Sequence, residues 1–165
     1  MKTKNLTLSA LLCTVALMLS YIESLIPPFF AVPGIKLGLA NMVIVFVLYR
    51  MGWKYAVAVS LLRVALSTLL FSGVLTLFYS VAGALVSLLL MMLFKRLGLF
   101  SEVGVSVIGG ISHNAAQIGV ACLIMETSQI VYYLPVLIIS GTITGVLIGI
   151  GGALLIKKLK LRERF

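Results

Sequence analysis

The sequence predicts an all-α integral membrane protein: six transmembrane helices in a single domain, residues 1–165, with both termini on the same side. Three observations lead there. Of its 165 residues, 62% are hydrophobic and 10% are charged, with a mean hydropathy of +1.23; a soluble domain needs far more polar surface. The apolar residues fall into successive runs of roughly twenty, the length a helix needs to cross a bilayer core. The basic residues gather between alternate runs, as orientation in a membrane requires.

Each span has its own boundaries. The first covers about Leu6 to Ile26 and stops at Pro27-Pro28, which cannot continue a helix. Lys2 and Lys4 ahead of it resemble a signal peptide, but the run is too long and Ser24-Leu25-Ile26-Pro27-Pro28 is a poor cleavage site. A loop from Pro27 to Pro33 carries Phe29 and Phe30, which suit an interface anchor or a lid. The second span, about Gly34 to Tyr49, is short, so its start should lie below the surface. The third covers about Tyr55 to Phe71 after a polar turn at Arg50 to Lys54, and Ser72-Gly73 turns the chain into the fourth, about Val74 to Phe94. The fifth runs from about Val103 to Met125 and the sixth from about Ile130 to Ile156, followed by a basic tail.

With six spans, one side receives Lys2, Lys4, Arg50, Lys54, Lys95, Arg96, Lys157, Lys158, Lys160, Arg162 and Arg164. The other side receives Lys36, and Arg63 falls inside the third span. This bias places both termini in the cytoplasm of a multi-pass cell-membrane protein. It also accounts for the net charge of +9 without a nucleic-acid partner. Cys13 and Cys122 fall at opposite depths, which argues against a disulfide.

Topology turns sequence position into depth. Glu23, Lys36 and Asn41 fall in the outer half, Arg63, His113 and Asn114 near the middle, and Gln117 just above them. These residues are the expected lining of a cup open to the outside. Helical spacing groups Ser9, Cys13, Ala16, Ser20 and Glu23 on one face, Ala56, Ser60, Arg63 and Ser67 on a second, and Ser106, Gly110, His113 and Gln117 on a third. Such faces should turn inward, because lipid offers polar groups no partners. An arginine at mid-membrane costs about 2.5–3.5 kcal/mol on insertion scales. It therefore either pairs with Glu23 and helix carbonyls or holds an anionic ligand group. Glu23 is correspondingly a partner for Arg63 or a binder of donor groups, and His113 is a bond to a neighbouring helix or part of the site. Gly141, Gly145, Gly149 and Ala153 recur every fourth residue in the sixth span, a pattern for close helix packing inside the chain or against a partner subunit.

The chain contains no Asp; its four acidic residues are all Glu. An aspartate-rich Mg²⁺–diphosphate site is thereby excluded. No ATP-binding Gly-rich loop, catalytic Ser/His/acid set or zinc-ligand pattern occurs, so neither an enzyme nor a bound cofactor or metal is expected.

The stretches Pro33-Gly34-Ile35-Lys36-Leu37-Gly38-Leu39-Ala40-Asn41, Leu62-Arg63 and Gly109-Gly110-Ile111-Ser112-His113-Asn114-Ala115-Ala116-Gln117 together resemble the Gx transporter family, also labelled heptaprenyl diphosphate synthase component I. That family is related to the substrate-binding S components of energy-coupling factor (ECF) transporters. The resemblance implies an S-component fold, with a ligand site near the outer face beneath the loop between the first two helices. It further implies a transmembrane coupling subunit and two cytoplasmic ATPases as partners. S components often dock the coupling subunit through Ala-x-x-x-Ala on the first helix; the nearest match is Ala10-x-x-x-Thr14. The expected function is capture of a small, anionic, partly apolar ligand such as an isoprenoid or quinone precursor or a flavin. The alternative is a non-transporting membrane accessory of prenyl diphosphate or quinone synthesis.

Overall fold

Uninterrupted apolar runs become helices because a backbone shielded from water must satisfy its own N–H and C=O groups. In the computed structural model, which describes residues 3–25, 38–71 and 73–159 (backbone only at 75), these runs form α1 (Thr3–Leu25), α2 (Leu39–Arg50), α3 (Trp53–Phe71), α4 (Val74–Leu97), α5 (Glu102–Ile124) and α6 (Leu134–Lys158). A short 3-10 turn, Gln129–Tyr133, leads into α6, and Pro135 sits in the first turn, where a missing N–H costs nothing. Five of the six helices are long and apolar enough to cross a membrane, and α2 is shorter. The loop from Pro27 to Pro33, with Phe29 and Phe30, and Lys36 lie outside the described residues.

The largest departure from the expected boundaries is the start of α2. Gly38 takes the left-handed conformation, φ 73°, so the helix begins at Leu39 and not at Gly34. Glycine alone adopts this backbone at no steric cost. With 12 residues α2 spans only about 18 Å, against a hydrocarbon core of about 30 Å. Its apolar side chains are buried all round: Val43, Ile44, Val45, Phe46, Val47 and Leu48 form an unbroken buried run. A helix hydrophobic on every side belongs in the centre of a bundle. α2 packs there against α1, α3 and α6. The other helices close around it in the order α1, α3, α4, α5, α6. Leu88 and Met91 of α4 and Val105 of α5 join its core cluster.

One end of the bundle is basic, and its cations hold helix ends together. Arg50 donates to the carbonyl of Ile156, and Lys95 Nζ donates to that of Leu48 at 2.7 Å. Lys95 also lies 4.7 Å from the Tyr49 ring centre. Asn5 Nδ2 reaches Tyr55 Oη at 3.4 Å. The ends of α2, α4 and α6 and the starts of α1 and α3 therefore share one level. Positive charge on C-terminal carbonyls satisfies groups the helix leaves open and complements its dipole.

Polarity is inverted relative to a soluble protein. Ser9, Ser60, Thr68, Ser80, Ser87, Ser106 and Ser112 are buried, while Leu62, Leu69, Leu89, Ile139, Ile143 and Leu147 are exposed on the outer surface. The three polar faces anticipated on α1, α3 and α5 do turn inward: Ser9, Cys13, Ala16, Ala56, Ser60 and Ser106 are all buried. Both cysteines are free thiols.

The glycine ladder of α6 is spent inside the chain. A Cβ on Gly145 would lie 2.7 Å from Val107 Cα, and one on Gly149 would lie 2.7 Å from Val103 Cα. A Cβ on Gly110 of α5 would lie 2.6 Å from the Gly141 carbonyl oxygen. The two backbones touch, so α5 occupies the surface of Gly141, Gly145 and Gly149 that docking to a partner would need. On α1, Ala10 and Thr14 are exposed, and the Thr14 hydroxyl bonds to the Ala10 carbonyl at 3.0 Å.

Candidate functional site

Because α2 stops short, its first turn lies inside the bundle. A Cβ on Gly38 would meet Ile148 Cδ1 at 3.9 Å, midway along α6, and Met42 reaches Gly151 one turn lower. Asn41 therefore sits at mid-depth and not in the outer half. Four polar groups from three helices converge at this recessed start. Glu23 Oε1 of α1 accepts the Gly38 N–H. Arg63 of α3 donates from Nη2 to Asn41 Oδ1 at 3.0 Å. The Nε of Arg63 and the hydroxyl of Ser20 are buried and have no hydrogen-bond partner among the described residues.

Asn41 connects this cluster to a second space. A narrow cleft with room for about one water-sized molecule runs between α2, α4, α5 and α6. Gly38, Asn41, Ser87, Ser106, Gly109, Gly110 and Thr144 line it, with Val45, Met91, Gly145 and Ile148. Two of its hydroxyls are already used as donors: Ser87 Oγ bonds to the Gly109 carbonyl at 2.8 Å and Thr144 Oγ1 to that of Ser140 at 2.9 Å. The cleft thus offers a neutral lining of hydroxyl oxygens, glycine backbone and one amide. The cationic group lies on its α3 side. Ser87 and Thr144 were not singled out from the sequence. Each is one hydroxyl in an apolar run, indistinguishable there from one bonded to its own helix.

The α5 residues divide between packing interfaces. Asn114 Nδ2 donates to the Leu137 carbonyl of α6 at 2.8 Å. His113 and Gln117 lie against Gly83 of α4, where a Cβ would come within 3.1 Å of His113 Cε1 and 2.8 Å of Gln117 Cγ. The structure therefore brings together Glu23, Asn41 and Arg63 of the anticipated residues. It places Asn114 in the α5–α6 seam, and His113 and Gln117 in the α4–α5 seam. Replacing Asn114 with leucine should cost about 1 kcal/mol of stability, a usual value for one interhelical bond in a membrane. A melting curve in detergent checks this, and an unchanged midpoint would remove Asn114 from the α5–α6 tie.

The sequence profile described as heptaprenyl diphosphate synthase component I matches residues 12–155. That range holds the recessed start of α2, Arg63 and the whole Gly109–Gln117 segment. The chain belongs to the heptaprenyl diphosphate synthase component I family. No curated protein matches the chain, and no solved structure does. Within this family member, the three sequence stretches that carry the resemblance have distinct physical duties. The first starts α2 in mid-bundle at Gly38. The second supplies the part-buried guanidinium of Arg63. The third uses Gly109 and Gly110 to bring α5 against α4 and α6 and to line the cleft.

Proposed function

We propose that this protein is the substrate-binding component of an ECF-type importer, capturing a small, partly apolar anion at the recessed start of α2. The observation that carries the reading is Arg63, a part-buried guanidinium among apolar helices that bonds to Asn41 and whose buried Nε has no partner among the described residues. Keeping a charge there costs free energy, and binding an anion is what it fits. The first turn of α2 adds backbone N–H groups and the positive end of its dipole. With no Asp in the chain, prenyl elongation through an aspartate–Mg²⁺ site is not open to this protein, and it has no catalytic role in the proposal. Transport then needs energy from outside the chain, which a coupling subunit and cytoplasmic ATPases supply.

The family name favours a second reading, a membrane accessory to prenyl diphosphate synthesis. Purification from the native membrane in mild detergent separates the two. Co-elution with a membrane coupling subunit and ATPases is expected; co-elution with a soluble prenyl synthase and no ATPase would overturn the importer. Native mass spectrometry of the same sample should find a small anionic molecule retained.

The orientation belongs to the same proposal, with the basic end and both termini in the cytoplasm. A cysteine placed at Leu99, which is 71% exposed between α4 and α5, in a chain lacking Cys13 and Cys122 should react with a membrane-impermeant maleimide only in inside-out vesicles. Labelling in intact cells would reverse the topology.

A further inference from the structure

The anion place at the start of α2 already holds an anion, the carboxylate of Glu23. It accepts the N–H of Gly38, the residue that caps α2, and its charge is opposite to that of Arg63, which bonds to Asn41 in the first turn of the same helix. Those are the two attractions an incoming oxyanion would use. Two donors nevertheless stay unspent. Arg63 Nε is buried and has no partner among the described residues, and the same holds for Ser20 Oγ, one turn before Glu23 on the same face of α1. Buried Cys13 and the part-buried Glu23 bracket Ser20 on that face. Glu23 alone does not exhaust the donor set, although buried donors are almost always satisfied.

We infer that Glu23 is an internal stand-in for the ligand: a ligand carrying one carboxylate or phosphate group displaces it, taking the Gly38 N–H and Arg63 together with the donors at Arg63 Nε and Ser20. This deepens the proposed capture function and rests on it. The consequence runs opposite to that of a ligand-contacting residue. A carboxylate held next to the site competes at high local concentration, so binding is weakened by the fraction of molecules in which Glu23 has vacated its place. Neutralising Glu23 strengthens anion binding, whereas a residue that contacts the ligand weakens binding when changed. Glutamine keeps the oxygen that accepts from Gly38 and removes the charge.

The test uses the full chain in detergent, with phenyl phosphate and benzoate as probes, titrated by calorimetry at constant ionic strength. Glu23→Gln is expected to bind at least one probe about tenfold more tightly than the unaltered chain, the gain for a place vacated one time in ten. The stronger probe tells phosphate from carboxylate ligands. Ser20→Ala, which leaves the Glu23 contact intact, should weaken that probe roughly 3–10-fold, the loss of one neutral hydrogen bond. Equal, weaker or absent binding in a folded Glu23→Gln protein overturns the stand-in role. If that variant does not fold, unchanged binding in Ser20→Ala does so instead. Arg63→Met separates this failure from that of the site itself. If it abolishes probe binding while Glu23→Gln changes nothing, the Arg63 site stands without the stand-in. If it binds as the unaltered chain does, the site reading falls as well.

Discussion

Gly110→Leu is expected to leave little folded protein. The α5 and α6 backbones touch at this point: a Cβ alone would lie 2.6 Å from the Gly141 carbonyl oxygen and 3.4 Å from its carbon. The obstacle is backbone and cannot rotate away, so the helices must separate. Separation would pull apart the contacts at Gly145 and Gly149 and release the Asn114–Leu137 bond. Overpacking a well-filled interior usually costs about 1–3 kcal/mol, and a forced helix separation should exceed the upper figure. Fluorescence-detected gel filtration after detergent extraction should show the monodisperse peak lost. Gly119→Ala is the control, because nothing lies within 4 Å of its Cβ. Alanine there should keep the peak and gain up to about 1 kcal/mol in helix propensity. A monodisperse Gly110→Leu protein melting like its parent would show that the α5–α6 seam is not closed in solution.

Arg63→Met is expected to abolish ligand binding. Methionine approximates the length of the side chain and carries no charge. Exchanging a buried ion for an apolar residue is often neutral or stabilising, while leaving a counter-charge alone is costly. Here Arg63→Met leaves the Glu23 charge without its opposite and Asn41 Oδ1 without its donor, so the melting midpoint is expected to fall. Binding should suffer. Truncating one member of a desolvated charge pair costs about 2–5 kcal/mol. The small molecule that co-purifies with the unaltered protein should therefore be missing from the native mass spectrum of Arg63→Met. Retention of that molecule would remove Arg63 from the site. Arg63→Lys is not expected to rescue it, because an ammonium lacks the planar fork that reaches Asn41 and a ligand together.

The depth of the site was only partly legible in the sequence. The shortness of the second apolar run announced a recessed start, because length against bilayer thickness is simple arithmetic. How far it recedes depends on Gly38. One glycine among several in that stretch adopts φ 73° and delays the helix to Leu39. The pattern of residues does not say which glycine does so, since all of them can. Asn41 consequently moved from the outer half to mid-depth, beside Arg63. The fate of the α5 polar residues was equally hidden. His113, Asn114 and Gln117 share a short segment, and spacing put His113 and Gln117 on the inward side. Inward is a whole sector of a helix, however, and two neighbours occupy it. α4 takes His113 and Gln117 at Gly83, and α6 takes Asn114 at Leu137.

By itself the sequence determined the all-helical class, most of the helix bounds to within a few residues, the gathering of basic residues at one end and the inward polar faces. These are one-dimensional properties: run length, period and charge position carry them without reference to any neighbour. The tertiary structure decided which faces meet. The glycine ladder of α6 suits any close partner, and only the packed bundle shows that partner to be α5. Glu23 is compatible with a ligand contact or a counter-charge, and only the fold brings its carboxylate to the N–H of Gly38, fifteen residues away, across the start of α2. Helix contacts between segments distant in sequence arise from complementary shape, and a linear pattern of hydropathy does not contain that shape.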